Sequence, residues 1–356
     1  MNFKPDFKFF AKKEKVQDFR TLPIEDVSPE LQEKFKNKEW RKIPITESIT
    51  AEPKHLEVVS NIPISGQAMA WPAYYKTVKE GLENDGEPKG IGELAQKIEG
   101  GIQSSPIVKI RAELKFKLDE AQKMFDNDPS TSNLQLVLVD GYRKIGDQRT
   151  LFEAYHLYVK SEHPGLSELE SRSLATKMVS EPPKDAEILF EILKNSPPPH
   201  STGGSADVVL VFKDKIDIDS DYWVEKAMVP FGAQFDEMMH PTYGDERSET
   251  SFYEKKGKEE NLSIEDKKAL EYRRILYHTL AKLGLTNYYT EFWHYDFGNQ
   301  FNALMTGKKS AQFGFAGSIE NNQIKEDLTA EREAYEAYST KVGSFEAGRV
   351  KRHFGL

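Results

Sequence analysis

Two pairs of residues have the types and the spacing that a metal site requires. In the first pair, Asp207 follows His200 by seven positions, and Gly203 and Gly204 lie between them. Because glycine tolerates backbone conformations that other residues resist, the chain can fold back here and bring both side chains to one ion. The alternative interpretation is a histidine in a glycine-rich turn, with an aspartate that caps the next strand.

The second pair is Glu291 and His294, three positions apart. A carboxylate beside a histidine suits a metal ligand next to a general base that deprotonates a metal-bound water. In a flat strand, positions i and i+3 face opposite sides. The pair therefore needs a twist, a bulge or a bend before both side chains can reach one cavity.

The remaining residue types narrow the choice of metal ligands. The chain has eight histidines and no cysteine, so it has no disulfides, and a transition metal must be bound by histidine and carboxylate. A catalytic zinc site uses three such ligands and leaves a fourth position open. His240 follows two acidic residues, and we expect it in a loop or around the site. Ordinary packing is expected for the histidines in less distinctive settings, which are His55, His156, His163, His278 and His353.

The composition indicates a globular protein and excludes several functional classes. Its 356 residues, of which 38% are hydrophobic, suffice for one large domain or two smaller ones. The net charge of −9 is spread along the chain, which argues against a nucleic-acid partner. The first residues lack the apolar core of a secretory signal, and no later stretch has the length of a membrane span. We expect a soluble, cytoplasmic protein that does not associate with a membrane.

Hydrophobic patterns predict the elements that carry these residues. Apolar, β-branched or aromatic runs predict strands over 134–139, 208–212 and 288–297. Periodic apolar residues predict helices from 107 onward, over 148–160, 166–179 and 185–193, and after Ser263, where Asp266 completes a capping box. The charged stretch 244–261 is predicted to be a mobile surface loop. Arg143 is expected just past the first strand, because Asp140-Gly141 marks a turn.

Three motifs carry a resemblance to a known family. They are Asp-Gly-Tyr-Arg at 140–143, His-Ser-Thr-Gly-Gly-Ser-Ala-Asp at 200–207 and Glu-Phe-Trp-His at 291–294. In order and spacing they resemble the motifs of the D-alanyl-D-alanine dipeptidases, the vancomycin-resistance branch of the zinc D-Ala-D-Ala peptidases. Phe292 favours this branch, because the related carboxypeptidases tend to have proline there. The resemblance covers roughly residues 100–310.

The resemblance implies a fold and a set of functional residues. The fold would be α+β, a Hedgehog-like or D,D-peptidase-like zinc peptidase with a central antiparallel sheet flanked by helices. One Zn²⁺ per chain would be bound by His200, Asp207 and His294. Glu291 would be the catalytic base, and Arg143 would stabilise the oxyanion. The catalytic domain would span 101–312, after an irregular N-terminal extension with short helices at 1–100 and before a polar, helical tail at 313–356.

Four further residues are predicted to contact the substrate. Phe235 and Asp236 belong to a segment similar to the Gly-x-x-Phe-Asp segment of the family. Tyr142 and Ser201 adjoin the arginine and the first ligand, so they are candidates for the pocket wall. Ordinary loop packing is the alternative for Tyr142 and Ser201.

The function implied is hydrolysis of D-Ala-D-Ala, or a similar short D,D-dipeptide, to free amino acids. One alternative is a D,D-carboxypeptidase or another metallopeptidase that trims peptidoglycan peptides. A zinc-binding protein without catalysis is a second alternative, although both the base and the arginine are present. The partner expected is a small dipeptide, and the sequence gives no indication of the oligomeric state.

Overall fold

The structure is a computed structural model that describes residues 18–59, 66–70, 108–176, 179–218, 223–233, 245–321 and 323–326. Its strands, in chain order, are β1 (Glu57–Val59), β2 (Met69–Ala70), β3 (Val108–Ile110), β4 (Leu134–Asp140), β5 (Ser205–Phe212), β6 (Thr286–Asn287), β7 (His294–Asp296), β8 (Ser318–Glu320) and β9 (Gln323–Lys325). Its helices are α1 (Pro29–Lys36), α2 (Ala112–Asn127), α3 (Ile145–Glu162), α4 (Glu168–Ala175), α5 (Ala186–Asn195), α6 (Trp223–Ala227), α7 (Phe252–Glu259), α8 (Ile264–Lys282) and α9 (Gln300–Thr306).

A five-stranded sheet in the order β2-β4-β5-β7-β6 forms the centre of the fold. The α+β class expected from the sequence is confirmed. The sheet is mixed, however, because β2 pairs with β4 in parallel whereas the other pairs are antiparallel. A parallel pair requires a crossover connection, and the chain between β2 and β4 contains the helix α2, which can provide one.

The two middle strands are buried because helices pack against the sheet. All seven residues of β4 and the first seven of β5 are buried, as expected for continuous apolar runs. Leu118 of α2 and Leu280 of α8 belong to the same hydrophobic core as these strands. The Gln122 side chain joins α2 to β4, because it accepts from Leu136 N at 2.6 Å and donates to Leu134 O at 3.0 Å.

Three local predictions were wrong. Residues 108–110 form β3, which pairs with β1, and α2 begins only at Ala112. The predicted strand 288–297 is interrupted by a turn and keeps only β7. The charged stretch 244–261 contains a 3₁₀ helix (Asp245–Ser248) and α7, because Tyr253 is buried there and donates to Gly232 O at 2.8 Å. Of the tail that was predicted to be polar and helical at 313–356, the structure describes 313–321 and 323–326, which contain the paired strands β8 and β9. Residues 327–356 lie outside the described residues.

Part of the N-terminal hundred residues packs against the sheet domain. Arg111 forms an ion pair with Glu47 at 2.8 Å, and Thr46 N donates to Ala311 O at 2.9 Å. Ile24 N donates to a carboxylate oxygen of Glu254 at 2.9 Å. Among the described residues, no helix has the length and apolar character needed to cross a membrane.

Candidate metal centre

The register of the sheet places the candidate metal ligands beside one another. Asp207 of β5 pairs with His294 of β7, and on its other side it pairs with Asp140 of β4. The register of β4 and β5 shifts between Leu138 and Asp140. Such irregularities change the direction of a side chain at a strand end. Asp207, the last residue of the second motif, therefore lies between the first residue of the first motif and the last residue of the third.

The glycines between His200 and Asp207 allow the close approach that their spacing predicted. His200 lies in a 3₁₀ helix (Pro199–Thr202) that ends at Gly203, whose φ of 70° is in the left-handed region. A β-carbon at Gly204 would lie 2.6 Å from Phe297 O, so only glycine fits there without a shift. The chain can therefore turn directly from His200 into β5.

Three buried side chains converge at distances that suit one metal ion. His294 Nδ1 lies 2.9 Å from Asp207 Oδ1 and 3.2 Å from His200 Nε2, and His200 Nε2 lies 3.5 Å from Asp207 Oδ2. Ligands bound tetrahedrally at ~2.0–2.1 Å stand about 3.3 Å apart. Together His200, Asp207 and His294 can therefore hold a metal ion.

Outer partners orient both histidine rings toward this centre. Gly141 O lies 2.7 Å from His200 Nδ1, which places the proton on Nδ1 and leaves the Nε2 lone pair for a ligand bond. His294 Nε2 lies 3.2 Å from Asp296 Oδ2, an ion-pair contact without hydrogen-bond geometry, and the other ring nitrogen, Nδ1, is directed toward the centre. Asp296 itself accepts from Ser205 Oγ at 2.7 Å and from Asn299 Nδ2 at 2.5 Å. Metal-binding histidines generally have such partners on their second nitrogen.

The charges at the centre favour a bound cation. Burial raises the pKa of Asp207, but His200 and His294 outweigh this effect and bring the pKa well below its ordinary value. Burial lowers the pKa of His294, but Asp296 and Asp207 outweigh it and raise the pKa well above the ordinary value. Two buried carboxylates around one imidazole thus draw positive charge to this point, and a metal ion can supply that charge.

A turn brings Glu291 to the same side as His294. Glu291 N donates to Tyr288 O at 2.9 Å, and the Asn287 side chain donates to Glu291 O and His294 O at 2.8 and 2.9 Å. The Glu291 carboxylate lies 3.9 Å from His294 Nδ1. The bend that this motif requires is therefore present.

Arg143 is held in a fixed orientation next to the first ligand. Its guanidinium donates to Asp140 Oδ2 at 2.5 and 3.1 Å and to Gln148 Oε1 at 2.9 Å. Its backbone N–H donates to His200 O at 3.3 Å. Such a buried, preorganised cation can stabilise negative charge on a ligand without reorganising.

The five principal residues line a single cavity of about 420 Å³, namely Arg143, His200, Asp207, Glu291 and His294. A cavity of this order suits a small ligand. The sequence did not predict that Phe35, Lys38, Trp40 and Arg41 line it too. The signal that could have identified them is a pair of cations interleaved with two large aromatic residues.

The four predicted substrate-contact residues have different positions. Ser201 is fully buried and donates to Arg143 O at 3.2 Å, and Tyr142 donates to Glu326 at 2.7 Å. Neither of them is among the residues that line the cavity. Phe235, Asp236 and the nearby His240 lie outside the described residues.

Comparison of the sequence with models of protein families and with curated proteins finds no match. The likeness to the D-alanyl-D-alanine dipeptidases therefore rests on the three motifs.

Proposed function

We propose that the chain is a zinc-dependent dipeptidase that hydrolyses D-Ala-D-Ala or a similar short D,D-dipeptide, in a Hedgehog-like or D,D-peptidase-like fold. The observation that carries the proposal is the triangle of His200, Asp207 and His294, with the Glu291 carboxylate 3.9 Å from His294 Nδ1. Base and candidate ligands share one cavity with a fixed arginine. This is the set of groups that hydrolysis of a peptide bond at a metal requires.

The donor set fits zinc. Two imidazole nitrogens and one carboxylate form a common ligand set for catalytic zinc, and a fourth position then remains for water or substrate. When bound there, Zn²⁺ would acidify a water molecule and polarise the scissile carbonyl. Gly141 and Asp296 would keep the ligand atoms of His200 and His294 directed at the ion. One zinc ion per chain is expected.

Glu291 transfers the proton in this proposal. Its side chain is only 16% exposed, and its carboxylate lies 3.9 Å from Nδ1 of the ligand His294. From there it accepts a proton from the attacking water and delivers it to the nitrogen of the leaving amine. Glu291 is not needed as a ligand, so its replacement separates proton transfer from metal binding.

Arg143 stabilises the charge that develops on the carbonyl oxygen. Asp140 and Gln148 hold the guanidinium in position before the substrate arrives. Fixed donors in a water-poor cavity stabilise an oxyanion more strongly than water does. Asp140 thereby acts as a positioning residue, since it acts through Arg143.

The test is a panel of D,D-, L,D- and L,L-dipeptides, with longer peptidoglycan peptides for contrast, incubated with the zinc-loaded protein. Free D,D-dipeptides should be cleaved and the longer peptides should not. Glu291→Gln should keep its zinc and lose at least ~10²-fold in kcat, the lower range for a general base. Glu246→Gln, at an exposed position, is the matched control and should retain activity. No cleavage of any dipeptide by zinc-loaded protein, or full activity of Glu291→Gln, would contradict the proposal.

A further inference from the structure

The wall of the cavity formed by residues 35–41 carries two cations. This segment lies outside the part of the chain that resembles the dipeptidases. Lys38 and Arg41 keep part of their side chains in contact with solvent, are partly enclosed by the protein, and line the cavity that contains Arg143 and Glu291. A pair of cations at the entrance to a site for a small ligand is a recognition element for an anionic group.

Aromatic packing holds this wall in place beside the metal centre. Phe35 and Trp40 are each only 5% exposed, and their rings lie 5.1 and 4.8 Å from the ring of Phe301. Phe301 lines the cavity and lies 6.5 Å from the His294 ring. Gln300 Nε2 also donates to Ile43 O at 2.5 Å. The segment is therefore tied to the helix that follows β7, and its cations have a defined position relative to His294.

The backbone of Lys38 supports a positioning requirement. Its φ of 54° and ψ of 34° are in the left-handed region, which residues other than glycine rarely adopt. Such a conformation persists only where its surroundings enforce it, and such residues cluster at ligand sites. Here Lys38 directly follows the C-cap of α1, its N–H donates to Phe35 O at 2.9 Å, and the buried Phe35 and Trp40 flank the turn.

Within the stretches that the structure describes, no carboxylate forms an ion pair with Lys38 or Arg41, and none contributes to the pKa shift of either side chain. The pKa of Lys38 is lowered, first by partial burial and then by the positive charge of Arg41. Partial burial likewise lowers the pKa of Arg41. Arg41 contacts the face of Trp40, with its guanidinium 5.1 Å from the ring centroid. An anion bound between Lys38 and Arg41 would relieve their mutual repulsion.

We propose that Lys38 and Arg41 bind the terminal carboxylate of the peptide substrate. The inference rests on the proposed peptidase function, for which it adds the residues that select a free carboxyl terminus. A dipeptide carries its carboxylate on the residue that leaves as the amine. Cations on one wall of the cavity, with Glu291 and Arg143 also lining it, can therefore hold that residue while the carbonyl faces the metal centre. A peptide extended at its carboxyl end would place its carboxylate elsewhere and lose this contact, whereas a peptide extended at its amino end would keep it.

The test compares D-Ala-D-Ala with its C-terminal amide, D-Ala-D-alaninamide. Binding is measured by calorimetry to the zinc-loaded full chain carrying Glu291→Gln, which keeps the ligand intact. The acid should bind about tenfold more tightly than the amide, because one charge-assisted hydrogen bond contributes about that much affinity. Adding Arg41→Gln or Lys38→Gln should remove most of that preference and leave the affinity for the amide unchanged. With Glu291 intact, Arg41→Gln should raise KM for the acid and leave kcat nearly constant.

Lys42→Gln is the matched control, because it removes the same charge one position further on, at an exposed residue that does not line the cavity. Added to the Glu291→Gln protein, it should leave the affinities for the acid and for the amide unchanged. The inference would be overturned if the Glu291→Gln protein bound the acid and the amide with equal affinity, or bound neither. It would also be overturned if adding Arg41→Gln weakened the binding of both ligands equally. Acid preference that depends on Arg41, without turnover by the wild type, would instead refute the hydrolysis and support the carboxylate site.

Discussion

Gly141→Ala should weaken metal binding although Gly141 is not a ligand. A β-carbon at this position would lie 2.6 Å from Lys109 O and 2.7 Å from Ile110 Cγ2. The first of these atoms belongs to the backbone of β3, so the loop must move away from that strand. Tyr142 N donates to the same carbonyl at 2.7 Å, and this hydrogen bond would be strained together with the loop.

The displacement reaches the metal centre through one hydrogen bond. Gly141 O lies 2.7 Å from His200 Nδ1 and fixes both the tautomer and the orientation of that ring. Loss of such an outer partner typically costs 10- to 100-fold in metal affinity, or roughly 1.4–2.8 kcal/mol. The overlap itself should reduce the free energy of unfolding by about 1–3 kcal/mol.

Two assays separate these effects. Zinc affinity is measured by competition with a chromophoric chelator, and the stability of the metal-free protein is measured by urea denaturation. Gly146→Ala is the control, because no atom lies within 4 Å of its β-carbon and the position is helical. It should retain zinc affinity and gain up to about 1 kcal/mol in stability. Wild-type zinc affinity in Gly141→Ala would refute the reasoning.

Three further predictions concern pH, the second histidine and metal removal. Burial raises the pKa of Asp147 from 3.8 to about 6. The positive charge of Lys144 opposes this increase, whereas the negative charges of Glu326 and Asp140 add to it. The folded state then binds this proton more tightly than the unfolded state, so the free energy of unfolding should fall as the pH rises from about 4 to about 6. Asp147→Asn should lack this fall. Urea denaturation should therefore show its stability relative to wild type rising by about 2.4 kcal/mol between pH 4 and pH 7. A difference that stays constant with pH would refute the assignment. Asp296→Asn should lower zinc affinity about 10- to 100-fold in chelator competition, because it removes the negative charge 3.2 Å from His294 Nε2. Unchanged zinc affinity would contradict that role of Asp296. When the free zinc concentration is 100-fold above the dissociation constant, removing the zinc with a chelator should lower the free energy of unfolding by about 2.7 kcal/mol. An unchanged melting temperature after chelation would mean that no ion stabilises the fold.

The sequence predicted those elements whose local pattern and tertiary environment agree. The strands β4 and β5 are continuous apolar runs buried on both faces, so composition alone indicated them. The capping box of Ser263 and Asp266 marked the start of α8, and both of its hydrogen bonds are present. The candidate ligands were identified from residue types and motif order, which do not depend on the exact backbone.

The failures arose where distant contacts decide local structure. Ile110 fits the helical spacing of Leu114 and Leu118, yet pairing with β1 makes it part of a strand. The bend between Glu291 and His294 depends on the Asn287 side chain bridging two carbonyls, which no periodicity reveals.

The wall of the cavity at residues 35–41 was missed for a related reason. Its position depends on the contact between Trp40 and Phe301, which are far apart in the sequence. Local spacing contains no information about such a contact. The segment also lies outside the motifs that carry the family resemblance, so the resemblance gave no reason to examine it.

The most direct test of the account is the zinc stoichiometry of the purified chain, measured by mass spectrometry of the metal after equilibration with zinc and removal of free ion. The wild type and Glu291→Gln should each contain about one zinc per chain, because a three-ligand site binds one ion without the base. His200→Ala and His294→Ala should each retain far less. Absence of zinc from the wild type, or as much zinc in either histidine variant as in the wild type, would contradict the assignment of His200, Asp207 and His294 as a metal centre.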